Sequence, residues 1–162
     1  RIADISLDEL EGMLIENSDE PYAYEVAKAV IDSRRREKIE TTTQLREIIE
    51  KALQFLPAKE RKDEIKKCCA RTFQALRIDV NSEFEVLYDF LEKLPDALNP
   101  GGRVAILTFH SGEDRLVKKS FKALKKAGIY SDVANEVIRP SREECNMNPR
   151  AKSTKMRWAV KL

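Results

Sequence analysis

The chain has 162 residues, of which 42% are hydrophobic and 36% are charged, and its formal net charge is +2. This composition suffices for one ordinary hydrophobic core or two small ones, so we expect a soluble globular protein. No apolar run approaches the roughly 18 residues that a membrane span needs, and the first residues do not resemble a signal peptide. We therefore expect no membrane anchor.

Cysteine and histidine are scarce. The chain has three cysteines, Cys68, Cys69 and Cys145, and one histidine, His110. These residues are too few and too unevenly spaced for a disulfide framework or a zinc site. We therefore expect no metal and a reducing, cytoplasmic compartment, with an organellar location as the alternative.

Charge is distributed unevenly along the chain. Residues 1–100 carry 16 basic and 22 acidic side chains, whereas residues 101–162 carry 14 basic and 6 acidic ones. A basic half favours a polyanionic partner such as nucleic acid, although the same charge also serves solubility.

The first 56 residues predict three helices and no strand. The chain begins with Arg1 and enters a helical pattern directly, which we interpret as the start of a piece of a longer protein. Ser6 and Glu9 predict a capping box, Pro21 falls in the first turn of the second helix, and Pro57 ends the third. Apolar residues recur at helical spacing in each helix: Leu7, Leu10 and Leu14; Tyr22, Val26, Ala29 and Val30; Leu45, Ile48, Ile49, Ala52, Leu53 and Leu56. We expect a helical subdomain over residues 1–67.

A charged connector, residues 57–67, leads into a single long helix that we predict from about Glu64 to Leu94. Apolar residues advance by three or four positions throughout it: Leu76, Val80, Phe84, Leu87, Leu91 and Leu94. The stripe of Arg71, Gln74, Arg77 and Asn81 on the same helix is typical of a hydrated face.

Residues 68–162 predict an α/β arrangement. A turn at 95–102 precedes "RVAILTF", an unbroken apolar run typical of a strand buried on both faces of a parallel sheet. Residues 113–128 form an amphipathic helix that Gly128 ends, and the alternation in 155–162 predicts a half-buried strand near an edge or antiparallel to its neighbours.

The octapeptide "TFHSGEDR", residues 108–115, lies where the predicted strand meets the helix. The carboxyl end of a strand in an open parallel sheet is where such folds bind ligands, so His110 and Ser111 are candidate site residues. Ser111 followed by Asp114 fits a helix N-cap better than a catalytic hydroxyl. A hydrolase that uses Ser111 and His110 is disfavoured, because the G-x-S-x-G motif and a second histidine are missing.

A basic stretch near the carboxyl end offers contacts to phosphates. It contains Arg139, Arg142, Arg150, Lys152, Lys155 and Arg157, interleaved with Pro, Ser, Asn and Thr. A loop of this composition favours RNA or DNA binding over a merely hydrated surface. The five glycines form neither a G-x-G-x-x-G motif nor a P-loop, so no nucleotide-cofactor loop is predicted in this chain.

Three segments, taken in order, resemble the motifs of the MraW family of methyltransferases. They are "RTFQALRIDVN", "NPGGRVAILTFHSGEDRLVK" and "NPRAKSTKMRWA", which together span residues 71–159. The segments "SDEPYAYEVAKAVIDSRR" and "TTTQLREII" resemble the family's inserted helical domain less closely. Gly112 stands where many members carry leucine, and Thr154 where many carry alanine.

The resemblance implies an enzyme that uses S-adenosylmethionine to methylate the N4 amine of a cytosine in small-subunit ribosomal RNA. The implied fold is the C-terminal part of a Rossmann-like class I methyltransferase sheet plus an all-helical inserted subdomain at 1–67 that recognises substrate. The cofactor site is expected upstream of this chain, which alone would be inactive. The partners are ribosomal RNA or the small subunit itself.

The resemblance also implies roles for individual residues. His110 and Ser111 would position the substrate base, and a second group would structure the loop: Glu113, Asp114 and Arg115. The implied RNA contacts are Asn148, Arg150, Lys152, Lys155 and Arg157. A non-catalytic RNA-binding or ribosome-assembly module on the same scaffold is the alternative, and a homodimer that covers an exposed sheet edge stays open.

Overall fold

The computed structural model describes all residues, 1–162, and divides into two compact units, Arg1–Glu83 and Phe84–Leu162. The subdomain boundary that we predicted after residue 67 instead falls inside a continuous helix, because that helix packs its later turns within the first unit. None of the helices has the length and apolar character required for a transmembrane span.

The first unit contains four helices: α1 Leu7–Ser18, α2 Ala23–Arg34, α3 Thr42–Ala52 and α4 Ala58–Asn81. The predicted capping box is confirmed, since the Glu9 amide donates to Ser6 and the Glu9 carboxylate accepts from the Ser6 amide. Thr41 and Gln44 form a second box at α3. These boxes satisfy backbone amides that have no partner inside the helix.

The helices of the first unit enclose one apolar core. α1 packs against α2 and α4, and α2 packs against α3. The buried core residues come from the stripes that the periodicity predicts and include Leu10, Leu14, Val26, Val30, Leu45, Ile49 and Leu53. Burying each of these side chains contributes about 1.5–3 kcal/mol, so the core is what holds the four helices together.

The single long helix that we predicted from Glu64 to Leu94 is wrong at both ends and at its centre. Helix α4 already begins at Ala58, so most of the predicted connector is helical. It ends where Ser82 adopts a left-handed conformation with φ 49°, and a separate helix, α5 Glu83–Ala97, follows. Apolar spacing alone does not reveal a break at which the periodicity continues.

The second unit contains most of α5 and a three-stranded sheet with α6 packed on it. The remaining elements are β1 Arg103–Thr108, α6 Ser111–Lys126, β2 Tyr130–Val133, α7 Arg142–Met147, a 3₁₀ helix Pro149–Ser153 and β3 Lys155–Lys161. Gly128, just after α6, has φ +72°, as the predicted helix stop requires. The predicted α/β class is thus confirmed.

The sheet has the strand order β1-β3-β2, and both pairings are antiparallel. The expectation that β1 lies in a parallel sheet, covered on both faces, is therefore wrong for this chain. Leu107 is 57% exposed, because α6 packs on only one face of the sheet. The antiparallel pairing predicted for β3 is confirmed, although β3 is the central strand of the three.

The core of the second unit lies between α5, α6 and the sheet. Its buried residues are Leu91, Leu94, Val117, Phe121, Tyr130, Val133 and Ala159. The rings of Phe121 and Tyr130 meet edge to face with centroids 5.6 Å apart. This packing anchors α6 on the sheet.

Candidate functional site

The turn from β1 into α6 is capped by His110. The imidazole Nδ1 accepts a hydrogen bond from the Glu113 amide at 3.5 Å, and the Glu113 carboxylate accepts one from the Phe109 amide at 2.8 Å. We predicted Ser111 as the N-cap, and this is wrong: Ser111 is the first residue of the helix. The capping atom belongs to the residue whose backbone is extended, and here that is His110, with φ −140° and ψ 168°.

The capping bond defines how the His110 ring is oriented. Because Nδ1 accepts a hydrogen bond from an amide, it is the unprotonated nitrogen of the neutral ring, whose own proton is then on Nε2. The Nε2 atom lies 3.5 Å from a carboxylate oxygen of Glu113, and the side chain is 12% exposed. The capping bond at Nδ1 therefore orients the ring, with Nε2 beside the Glu113 carboxylate.

An aromatic ring adds a third contact to His110. Phe84 lies with its centroid 5.9 Å from the imidazole, at an interplanar angle of 52°. It also covers Gly112, where an added Cβ would lie only 2.6 Å from Phe84 Cζ. Sequence reasoning assigned Phe84 to a helix stripe and missed this contact, since nothing local links residues so far apart. The departure of Gly112 from the family pattern is the one signal that pointed to unusual packing here.

A buried ion pair joins the start of α6 to β3. The Arg157 Nε atom donates to Asp114 at 2.7 Å, and a second guanidinium nitrogen donates to the other oxygen at 3.2 Å. Burial raises the pKa of Asp114, but the hydrogen bond and charge of Arg157, together with nearby lysines, outweigh burial and lower the pKa below its usual value. Asp114 is therefore ionised at neutral pH and fixes the first turn of α6 to the sheet.

Arg157 is one of the predicted RNA contacts, but its place in the structure does not suit that role. It is only 6% exposed, and its guanidinium is occupied by Asp114. A phosphate contact would require breaking this pair. The alternation of residues 155–162 predicts that Arg157 lies on the polar face of the strand. It does not indicate that this side chain is buried against a carboxylate.

The other predicted RNA contacts lie at or near the 3₁₀ helix. Asn148 caps it by accepting a hydrogen bond from the Arg150 amide at 3.2 Å. Arg150 and Lys152 are exposed, whereas Lys155 is partly buried and its Nζ lies 3.9 Å from Asp114. The structure thus places Lys155 beside the first turn of α6, which also contains the partly buried Glu113. Ser111 and Arg115 are exposed on the same helix.

The polar stripe of α4 is more than the hydrated face that we predicted. Arg71 lies 3.5 Å from the buried carboxylate of Glu20. Arg77 donates twice to Glu83 and so spans the break at Ser82. Gln74 and Asn81 also form hydrogen bonds within the first unit. These side chains support the local structure and remain partly exposed to solvent.

The glycines of the chain do not form a cradle for a methyl-donor cofactor. At Gly102 and Gly112 an added Cβ would collide, but with Asn99 and Phe84 of the chain itself. At Gly12, Gly101 and Gly128 no atom lies within 4 Å of such a Cβ. These glycines therefore give no cradle into which S-adenosylmethionine would fit, and a cofactor site upstream of this chain stays a prediction.

Comparison with known proteins shows which family this chain belongs to. The model of the MraW methylase family matches residues 2–162. The chain belongs to the MraW methylase family. The resemblance drawn from the three motifs is thus confirmed. The family match also covers the helical residues of the first unit, where the motifs are weaker.

Curated MraW relatives are highly similar over the whole chain. Ribosomal RNA small subunit methyltransferase H 1 of Lachnoclostridium phytofermentans is 67% identical in an alignment of 162 positions, which covers 99% of this chain and 44% of the relative. The protein of the same name from Agathobacter rectalis is 68% identical, over 99% of this chain and 46% of its own length. The chain therefore spans a little under half the length of these relatives.

Proposed function

We propose that this chain forms the carboxyl-terminal half of an S-adenosylmethionine-dependent methyltransferase that modifies the N4 amine of a cytosine in small-subunit ribosomal RNA. The family match over residues 2–162 carries the proposal, and the names of the relatives supply the substrate class. The excess of basic residues after position 100 supports a polyanionic substrate.

The chemistry requires a positioned base. The lone pair of a cytosine amine is delocalised into the ring, so the enzyme must orient the amine and accept hydrogen bonds from its protons. The base must also leave its stack to be reached. We assign base positioning to His110 and Ser111, because the exposed Ser111 hydroxyl can accept such a bond and the His110 ring next to it is oriented by its capping bond.

We assign RNA backbone contacts to Asn148, Arg150, Lys152 and Lys155. Arg150 and Lys152 are exposed on the 3₁₀ helix, as phosphate contacts must be. Arg157 is left out, because its buried ion pair with Asp114 already uses its donors. Glu113 and Asp114 keep the turn in shape, and we assign the same supporting role to Arg115.

S-adenosylmethionine supplies the methyl group, and we place its binding site outside the residues described here. We assign substrate recognition to the helical residues 1–67, except the exposed lysines at the start of α4, which alternate with carboxylates. The isolated chain is then expected to hold RNA without methylating it.

A chimeric enzyme tests the proposal. This chain replaces the matching segment of the Lachnoclostridium phytofermentans relative, and methyl transfer from labelled S-adenosylmethionine to unmodified small subunits is measured. We expect activity close to that of the parent enzyme. His110→Asn in the chimera should reduce methylation while leaving the melting temperature nearly unchanged, because asparagine is itself a good N-cap but lacks the imidazole.

Two results would contradict the proposal in different ways. A folded chimera that binds ribosomal RNA but transfers no methyl group would favour the non-catalytic module. Full methylation by the His110→Asn chimera would refute the role of His110 and leave the enzyme class standing. Ser111→Ala, which keeps the cap intact, serves as the second arm for base positioning.

A further inference from the structure

Helix α6 carries six basic side chains along one face. At 100° per residue they fall within an arc of roughly 120°. The two acidic residues of the helix, Glu113 and Asp114, lie in its first turn and outside this arc. The six residues, which we call the α6 stripe, are Arg115, Lys118, Lys119, Lys122, Lys125 and Lys126.

The stripe faces solvent because the opposite side of α6 is part of the core. Val117 and Phe121 are 0% and 2% exposed, and they pack within the second unit. All six stripe residues are exposed. Lys125 forms an ion pair with Asp132 at 2.7 Å, at the end of the stripe farthest from the candidate site.

Helix stability does not account for the stripe. Cations favour the last turn of a helix, and this explains Lys125 and Lys126 only. Lys118, Lys119 and Lys122 lie in the middle, where like charges three and four residues apart repel one another by a few tenths of a kcal/mol per pair.

The amino-terminal part of α4 shows how lysines are otherwise arranged in this chain. Its exposed Lys59, Lys62 and Lys66 are interleaved with Glu60, Asp63 and Glu64. Such mixed signs serve solubility without a single-sign field. In α6 no acidic residue follows Asp114, so this face of the helix itself carries only positive charge. The neighbouring carboxylates are Asp132, which pairs with Lys125, and Glu92 of α5, which lines a cavity with Lys119.

We propose that the α6 stripe binds the phosphate backbone of the RNA substrate next to the target nucleotide. This inference rests on the proposed function. From Arg115 to Lys126 the stripe extends about 16 Å, at 1.5 Å per residue, and it begins at the turn that holds His110. RNA that enters the candidate site can therefore continue along α6, held by charge and without base readout.

RNA binding measured against salt concentration tests the stripe. The triple variant K118Q/K119Q/K122Q and the matched control K59Q/K62Q/K66Q remove the same charge from exposed helical positions. Binding of this chain to a short RNA hairpin from the small subunit is followed by fluorescence anisotropy. We expect the α6 variant to reduce the slope of log K against log salt by roughly 2 to 3 and the affinity roughly tenfold or more.

Controls separate the stripe from net charge and from misfolding. The α4 variant should lose much less RNA affinity than the α6 variant. The variant K118R/K119R/K122R should retain its affinity because it keeps the charge. Circular dichroism checks that each variant is folded. Equal loss in the α6 and α4 variants, no loss in the α6 variant, or binding to anionic phospholipid vesicles in preference to RNA would each overturn the inference.

The outcome is distinguishable from that of the proposed function. A chimera that methylates ribosomal RNA while the α6 variant binds normally would refute the stripe alone. Stripe-dependent RNA binding in a chimera without methylation would refute the enzyme and leave the stripe as an RNA-binding surface.

Discussion

The two compact units differ in how they use their charged side chains. The unit Arg1–Glu83 carries 15 basic and 18 acidic residues, whereas Phe84–Leu162 carries 15 basic and 10 acidic ones. In the first unit, two arginines of α4 contact carboxylates of the same unit: Arg71 contacts Glu20, and Arg77 contacts Glu83. In the second unit, exposed basic residues collect on α6 and near the 3₁₀ helix. A polar stripe can thus be internal support in one unit and open surface in the other.

In the second unit, the ion pair between Arg157 and Asp114 also supports the internal structure. Breaking it should give the largest loss of stability among the changes below. Asp114→Ala leaves the buried guanidinium of Arg157 without its partner. We expect the free energy of unfolding to fall by about 3–5 kcal/mol, measured by urea denaturation. The double variant Asp114→Leu, Arg157→Met should recover most of the loss. A loss below about 1 kcal/mol in the single variant would contradict a structural role for the pair.

The same pair predicts a pH dependence. The folded protein lowers the pKa of Asp114, so its stabilising contribution is present above the unfolded pKa of about 3.9 and is lost as pH falls through the folded pKa. The stability difference between wild type and Asp114→Asn should be constant above about pH 5 and should shrink in acid. A difference that grows on acidification would reverse the sign and refute this assignment.

Two glycines, one in each unit, should respond oppositely to alanine. Gly112→Ala places a Cβ 2.6 Å from Phe84 Cζ, so we expect a loss of about 1–3 kcal/mol from overpacking. Gly12→Ala in α1 meets no atom within 4 Å and should raise stability by about 0.5–1 kcal/mol. Thermal and urea unfolding measure both. Phe84→Ala in the Gly112→Ala background should relieve the clash, and a neutral Gly112→Ala would mean that Phe84 moves freely.

The N-cap of α6 should give a smaller effect. His110→Ala removes the acceptor for the Glu113 amide, and we expect a loss of about 0.5–2 kcal/mol. His110→Asn restores an acceptor and should lie within a few tenths of a kcal/mol of wild type. Urea unfolding of both variants measures this. Equal losses would show that the ring contacts with Phe84, and not the capping bond, stabilise this turn.

The smallest effect is expected for the exposed pair of the first unit. Arg77 is paired with Glu83 but is 56% exposed, so Arg77→Ala should lower stability by no more than about 1 kcal/mol. RNA affinity, measured by anisotropy, should not change if this arginine serves local structure. A clear loss of affinity would move the α4 stripe to the binding surface and weaken the contrast between the units.

Much of the fold could be predicted from local patterns. The capping box at Ser6, the apolar stripes of α1 to α3, the strand Arg103–Thr108 and the glycine stop at Gly128 all follow from neighbouring residues. Helix caps and apolar periodicity depend on residues within one or two turns, which is why the sequence reports them well. The three motifs likewise identified the family, because they are long and in order.

Part of the candidate site was beyond such reasoning. His110 and Ser111 were placed correctly at the end of a strand, but which of them caps α6 depends on a single backbone conformation. Phe84 and Arg157 meet this turn from other elements of the second unit. Their contacts join residues 26 to 43 positions apart, which no local pattern encodes.

By itself, the sequence determined the helices α1 to α3 and α6, the positions of strands β1 and β3, the basic second half and the family of this protein. The tertiary structure decided that helix α4 ends before Ser82, that β3 lies between β1 and β2, and that Arg157 is buried against Asp114. The reason is physical: periodicity states which face of an element is apolar, whereas strand order and ion pairing depend on which distant surface covers that face.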